Sequence, residues 1–163
     1  TDSHRLLSIS YNGVIESNKV INLDTLQELE GNYPTVERLF INDSNNYIIR
    51  SDEFTQERMK FISNIKKEIL HIKMTNEFLH FYYKDNNLFS IMVCYTNQTK
   101  SEDYYFNAKY IKDLFSFLID YNKHNKEVRN IMLNVMSPIR PIMFSDMDDW
   151  FKYLITPIRI KKD

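Results

Sequence analysis

The chain has 163 residues, 43% of them hydrophobic and 26% charged, which is enough to bury one solid core in a globular balance. A formal net charge of −1 excludes an overall basic field, so any contact with nucleic acid has to rest on a local surface. Only 2 Gly and 4 Pro exclude a long linker-like segment, and the single Cys94 excludes an intrachain disulfide, which fits a reducing compartment or a secreted protein without disulfides. The apolar runs fall far short of the ~20 residues a membrane span needs. The opening Thr1-Asp2-Ser3-His4-Arg5-Leu6 has no signal-peptide shape and reads as a cut inside a longer chain.

In chain order, short runs with strand character cover Leu6 to Tyr11, Glu37 to Ile41 and Tyr47 to Arg50. A helix is predicted from Ser51 to about Lys67, with Ser51 as cap and Phe54, Phe61, Ile62 and Ile65 on one face. Three strands follow, at Glu68 to Met74, Glu77 to Lys84 and Leu88 to Tyr95, with a hairpin turn at Asp85-Asn86-Asn87 matching an earlier one at Asn12-Gly13. After a strand at Asp103 to Phe106, a second helix is predicted from Asn107, its cap, to about Lys123. Its apolar stripe is Ile111, Leu114, Phe115, Leu118 and Ile119. The last strands are Val128 to Val135, Ile139 to Phe144 and Tyr153 to Ile160, and the alternation of Ile131, Leu133 and Val135 predicts one buried face. Many antiparallel strands around two helices make an α+β domain rather than a parallel βαβ fold.

Four separated motifs carry a family resemblance. Thr1-Asp2-Ser3-His4-Arg5-Leu6 resembles the T-D-x-H-R-L strand in the middle domain of bacterial β sliding clamps. Gly31-Asn32-Tyr33-Pro34, with Arg38-Leu39 after it, is similar to the G-x-[FY]-P segment that opens the family's third domain. Phe106-Asn107-Ala108-Lys109-Tyr110 looks like the F-N-x-K-Y start of the last helix, and Tyr153 to Ile160 resembles the final apolar-Pro-apolar-Arg-apolar strand. The resemblance runs from Thr1 to Ile160. It implies a remnant of the middle domain in residues 1–29 and a third, DNA-clamp domain in residues 30–163. The interval Asn22 to Glu30 is shorter than the family's, which implies either a lost half-domain or a stretch outside this sequence.

The family builds rings from head-to-tail dimers that encircle duplex DNA. The resemblance therefore implies a non-catalytic processivity subunit that tethers a replicative polymerase, with no cofactor or metal. Polymerase, clamp loader and repair factors would dock through short extended peptides in a groove between the second and third domains. By matching motif, the groove takes Thr1, His4, Arg5 and Leu6, then Pro34, Arg38 and Leu39, and finally Leu154, Thr156, Pro157, Ile158 and Arg159, with Pro141 beside them. Thr156 stands where the family often carries Met, which implies a shallower floor. The helix cations Arg58, Lys60, Lys66, Lys67, Lys109, Lys112, Lys123 and Lys126 would face DNA, diluted by Glu53, Glu57, Asp113 and Asp120. The alternative is a reduced, clamp-like peptide-binding adaptor or decoy that does not encircle DNA.

Enzyme constellations find no support. Asp2, Ser3 and His4 alternate across one strand, so they cannot converge as a triad. His71 and His80 lack partners at metal spacing, and Asp146, Asp148 and Asp149 lack the Gly and further ligands of a calcium loop.

Overall fold

The computed structural model describes residues 4–9, 20–21, 27–29, 40, 45–65, 68–95, 101–125 and 127–160. Among them the strands are β1 (Arg5–Ile9), β2 (Val20–Ile21), β3 (Glu28–Leu29), β4 (Asn45–Arg50), β5 (Ile69–Met74), β6 (Phe78–Tyr83), β7 (Asn86–Met92), β8 (Cys94–Tyr95), β9 (Glu102–Asn107), β10 (Asn130–Val135), β11 (Ile142–Asp146) and β12 (Phe151–Ile155). The helices are α1 (Gln56–Ser63) and α2 (Ala108–His124). A six-stranded sheet runs β1-β12-β11-β10-β4-β8, a four-stranded sheet runs β7-β6-β5-β9, and β2 pairs with β3. Every pairing is antiparallel, as an α+β fold without crossover helices requires.

The helix α2 follows from its sequence closely. Asn107 accepts the Lys109 N–H at the first turn, and Ile111, Leu114, Phe115 and Leu118 are buried on one face. An Asn107→Ala variant is expected to lose about 0.5–2 kcal/mol of stability in urea titration, because an N-terminal donor loses its partner.

The first helix departs from expectation. Ser51 does not cap it: the buried Ser51 hydroxyl accepts the Arg129 N–H, and Ser51–Glu53 forms a separate 3-10 turn. Thr55 caps α1 instead, accepting the Arg58 N–H, and the helix ends at Ser63. Phe61 is 50% exposed rather than buried with Phe54, Ile62 and Ile65: Phe54 lies before the helix, so helical spacing does not place Phe61 on its face, and Phe61 stands beside Phe89 at 6.3 Å.

Three strand readings also change. The run Leu88 to Tyr95 breaks at Val93, so that β7 and β8 serve different sheets. The last strand stops at Ile155, because Pro157 has no N–H to continue a ladder. The Ile139 to Phe144 run begins later, at Ile142, and extends to Asp146. The β6–β7 hairpin turns on Lys84-Asp85, one residue before the expected tripeptide, with Lys84 at φ 54°. The turn at Asn12-Gly13 and most of Glu37 to Ile41 lie outside the described residues.

Both sheets and both helices close on one core. Phe115 is fully buried at its centre, edge-on to Phe54, Phe81 and Phe89 at centroid distances of 5.1, 6.0 and 6.0 Å. Strands β11 and β12 are buried on both faces: Ile142, Phe144, Phe151, Tyr153 and Ile155 face this core. Met143 and Leu154 point the other way and form a separate apolar cluster with Leu6, against which Phe40 packs.

Buried Tyr104 donates to Glu102 at 2.6 Å, and buried Tyr121 donates to Asp146 at 2.8 Å. Burial, reinforced by these bonds, pushes both phenols well above the ordinary tyrosine value of 10.0. The folded state then holds protons that the unfolded chain releases above that value. The stabilisation is complete below pH 10 and is lost as pH rises beyond it. Urea midpoints measured from pH 9 upward are expected to fall steadily, and less steeply in Tyr104→Phe.

Candidate functional site

Strand β1 joins the free edge of β12 in register, with Arg5 opposite Ile155 and Leu6 opposite Leu154. The Thr156 N–H bonds to the His4 carbonyl at 3.0 Å and extends this junction past the end of β12. Because neighbours along a strand point to opposite faces, the junction has two chemically different sides. On the far face Leu6, Leu154 and Met143 make the apolar cluster described above. On the face toward α2, Arg5 forms an ion pair and hydrogen bond with Asp113 and lies 4.6 Å from the Tyr110 ring centre. The His4 ring stacks on the same tyrosine at 5.7 Å.

The structure therefore brings His4, Arg5, Leu6, Leu154 and Thr156 together. Pro157 is buried beside them, while Pro141 is half-buried ahead of β11. Ile158 and Arg159 go elsewhere. The Ile158 N–H bonds to the Tyr105 carbonyl, and both residues line a 330 Å³ cavity with Tyr105, Pro138 and Ile139. Thr1, Pro34, Arg38 and Leu39 lie outside the described residues.

Three residues of the junction were missed in sequence. Tyr110 belongs to the F-N-x-K-Y motif, yet nothing local says that its ring receives His4 and Arg5. Met143 and Phe40 look like any core residues, and only the pairing of β1 with β12 separates them from the core.

The cations sort by partner. Lys60, Lys109 and Lys112 are exposed and have no ion-pair partner among the described residues. Lys109, Lys112, Ser116, Asp120 and Lys123 form the outer stripe of α2, and Lys123 is bonded to Asp120 at 2.7 Å. Arg58 is half-buried, ion-paired with Glu53, and donates to the Glu53 and Ser90 carbonyls. Lys66, Lys67 and Lys126 lie outside the described residues. Among the described residues no group of three or more His, Cys, Asp or Glu could hold a metal, and no helix is long and apolar enough to cross a membrane.

Two helices packed against two antiparallel sheets, with a strand from a preceding segment completing the larger sheet, define a DNA-clamp fold. In particular, the chain has the fold of bacterial β sliding clamps. No protein-family model and no curated protein sequence matches it. Among solved structures it is similar to the DNA polymerase III subunit beta of Borrelia burgdorferi. That match has TM-score 0.75 and 14% identity, over 99% of this chain and 52% of that one. For the Pseudomonas aeruginosa DNA polymerase sliding clamp the values are 0.69 and 14%, over 98% and 54%. For the Thermotoga maritima beta subunit they are 0.61 and 16%, over 83% and 36%. At these identities the likeness is one of fold, and this chain spans between 36% and 54% of the three neighbours' lengths.

Proposed function

We propose that the chain is the C-terminal part of a sliding clamp, a non-catalytic processivity factor whose residues 30–163 form the third domain and whose residues 1–29 come from the middle one. The observation that carries this reading is the seating of β1 on the edge of β12. It joins His4, Arg5 and Leu6 to Leu154 and Thr156, five of the positions to which the family resemblance assigns the peptide groove. A Leu or Phe anchor would lie against the Leu6-Leu154-Met143 side, while His4 and Arg5, engaged by Tyr110 and Asp113 on the opposite face, would keep β1 seated on β12.

The opposite edge supports ring closure. Strands β7 and β8 end the two sheets on that side, Met92 and Phe61 are exposed there, and no strand covers them among the described residues. An open edge with apolar side chains is a template for another chain, and a head-to-tail dimer would continue both sheets across it. Lys60, Lys109 and Lys112 then supply unpaired charge for phosphates without fixing a register, as sliding on duplex DNA requires. The polymerase, the clamp loader and repair factors are the partners this reading implies, in the cytoplasm.

The test is topological. The full-length gene product, opened by a clamp loader, is expected to stay on nicked circular DNA and to fall off once the circle is cut. Loss from the intact circle as fast as from linear DNA would sink the ring reading and leave the peptide-binding adaptor.

A further inference from the structure

A second recess lies at the end of β12 opposite the Thr156–His4 contact, between the C-terminal half of α2 and the turn that joins β11 to β12. Its volume is about 840 Å³, within the range of clefts that hold a ligand or a side chain and its neighbours. Its walls are aromatic. Phe117 and Tyr121 set their rings edge-on to Phe151 at 4.9 and 5.2 Å, which fixes them in place. Trp150 leans on Tyr121 at 5.4 Å yet remains 43% exposed, so the chain's one tryptophan lines a recess rather than the core.

The base of the recess is acidic. Asp146 is only 4% exposed and is held by two neutral donors, the Tyr121 hydroxyl and the Trp150 backbone N–H, each at 2.8 Å. No cation of the described residues lies within ion-pair distance of it. The lining carries four aspartates, three of them at the rim and paired with cations, so the buried Asp146 is the one carboxylate in excess. The rim aspartates are held by Lys123, Arg129 and Lys152 in exposed pairs, which contribute about 0–1 kcal/mol each and exchange readily.

We infer that this recess binds an arginine or lysine side chain from a basic segment of a partner protein. The incoming cation lies over the open Trp150 face, where the ring quadrupole attracts it, and the aspartates receive its N–H donors. Nucleic acid does not fit, because its phosphates would meet carboxylates.

Trp150 emission reports on the recess directly. Titration of the chain with an acetylated hexa-arginine peptide at low salt is expected to give a saturable change, absent with a Gly-Ser peptide of the same length. Asp149→Asn at the exposed rim is expected to weaken binding by about fivefold, and Lys123→Ala, which frees Asp120, to tighten it. Circular dichroism confirms that each variant is folded. An unsaturable signal, an equal response to the Gly-Ser peptide, or unchanged affinity in folded Asp149→Asn overturns the inference.

Discussion

Replacing Phe115 with alanine is expected to lower the free energy of unfolding by about 3–5 kcal/mol, out of the roughly 5–15 kcal/mol a domain of this size possesses. The ring is fully buried and is the point where the layers meet. Phe54 reaches it from the turn before α1, and Phe81 and Phe89 reach it from the four-stranded sheet. Losing it opens a cavity bordered by three aromatic rings that are themselves held by other contacts, so the site cannot collapse to fill the space. The shift is read as a lower urea midpoint at unchanged slope. A loss below about 1 kcal/mol would mean that the two sheets do not share this core.

The second large effect is expected at Leu6→Asp. Leu6 is buried on the far face of the sheet against Leu154 and Met143, where a carboxylate meets apolar neighbours, and Lys152 on that face is already engaged with Asp149 and the Phe40 ring. Burying it costs several kcal/mol, more than a five-residue edge strand gains from its pairing, so β1 leaves β12. The rest of the domain keeps its core, because Leu6 contributes only to the satellite cluster. Hydrogen exchange is expected to rise at the Thr156 amide, which loses its His4 acceptor, while the amides of α2 stay protected. Uniform loss of protection across the domain would instead show that β1 is integral to the core.

Helix α2 is the element most legible in sequence, because its cap, its stripe and its length are all local properties of Asn107 to Lys123. The first helix misleads because Ser51 is a good cap in isolation. In the fold, its hydroxyl is taken by Arg129, seventy-eight residues away. The single run Leu88 to Tyr95 hides a change of sheet at Val93 that no periodicity marks. At the candidate site, His4, Arg5, Leu6 and Thr156 were legible only through resemblance to a family. Tyr110, Met143 and Phe40 were not legible at all, since their roles depend on which strand sits beside β12. That pairing joins residues about 150 apart in the chain, and such long-range choices are set by whole-core packing rather than by local pattern.

The measurement that bears most directly on the account is binding of a fluorescent peptide with a Gln-x-x-Leu-Phe core, followed by anisotropy with the parent chain and the Leu6→Asp and Arg159→Ala variants. The account predicts saturable binding by the parent that weakens by at least about tenfold in Leu6→Asp, the equivalent of about 1.4 kcal/mol, and is unchanged in Arg159→Ala, because Arg159 lines a separate cavity. Absence of saturable binding by a folded parent, or equal binding by all three, would contradict a peptide groove at the β1–β12 junction.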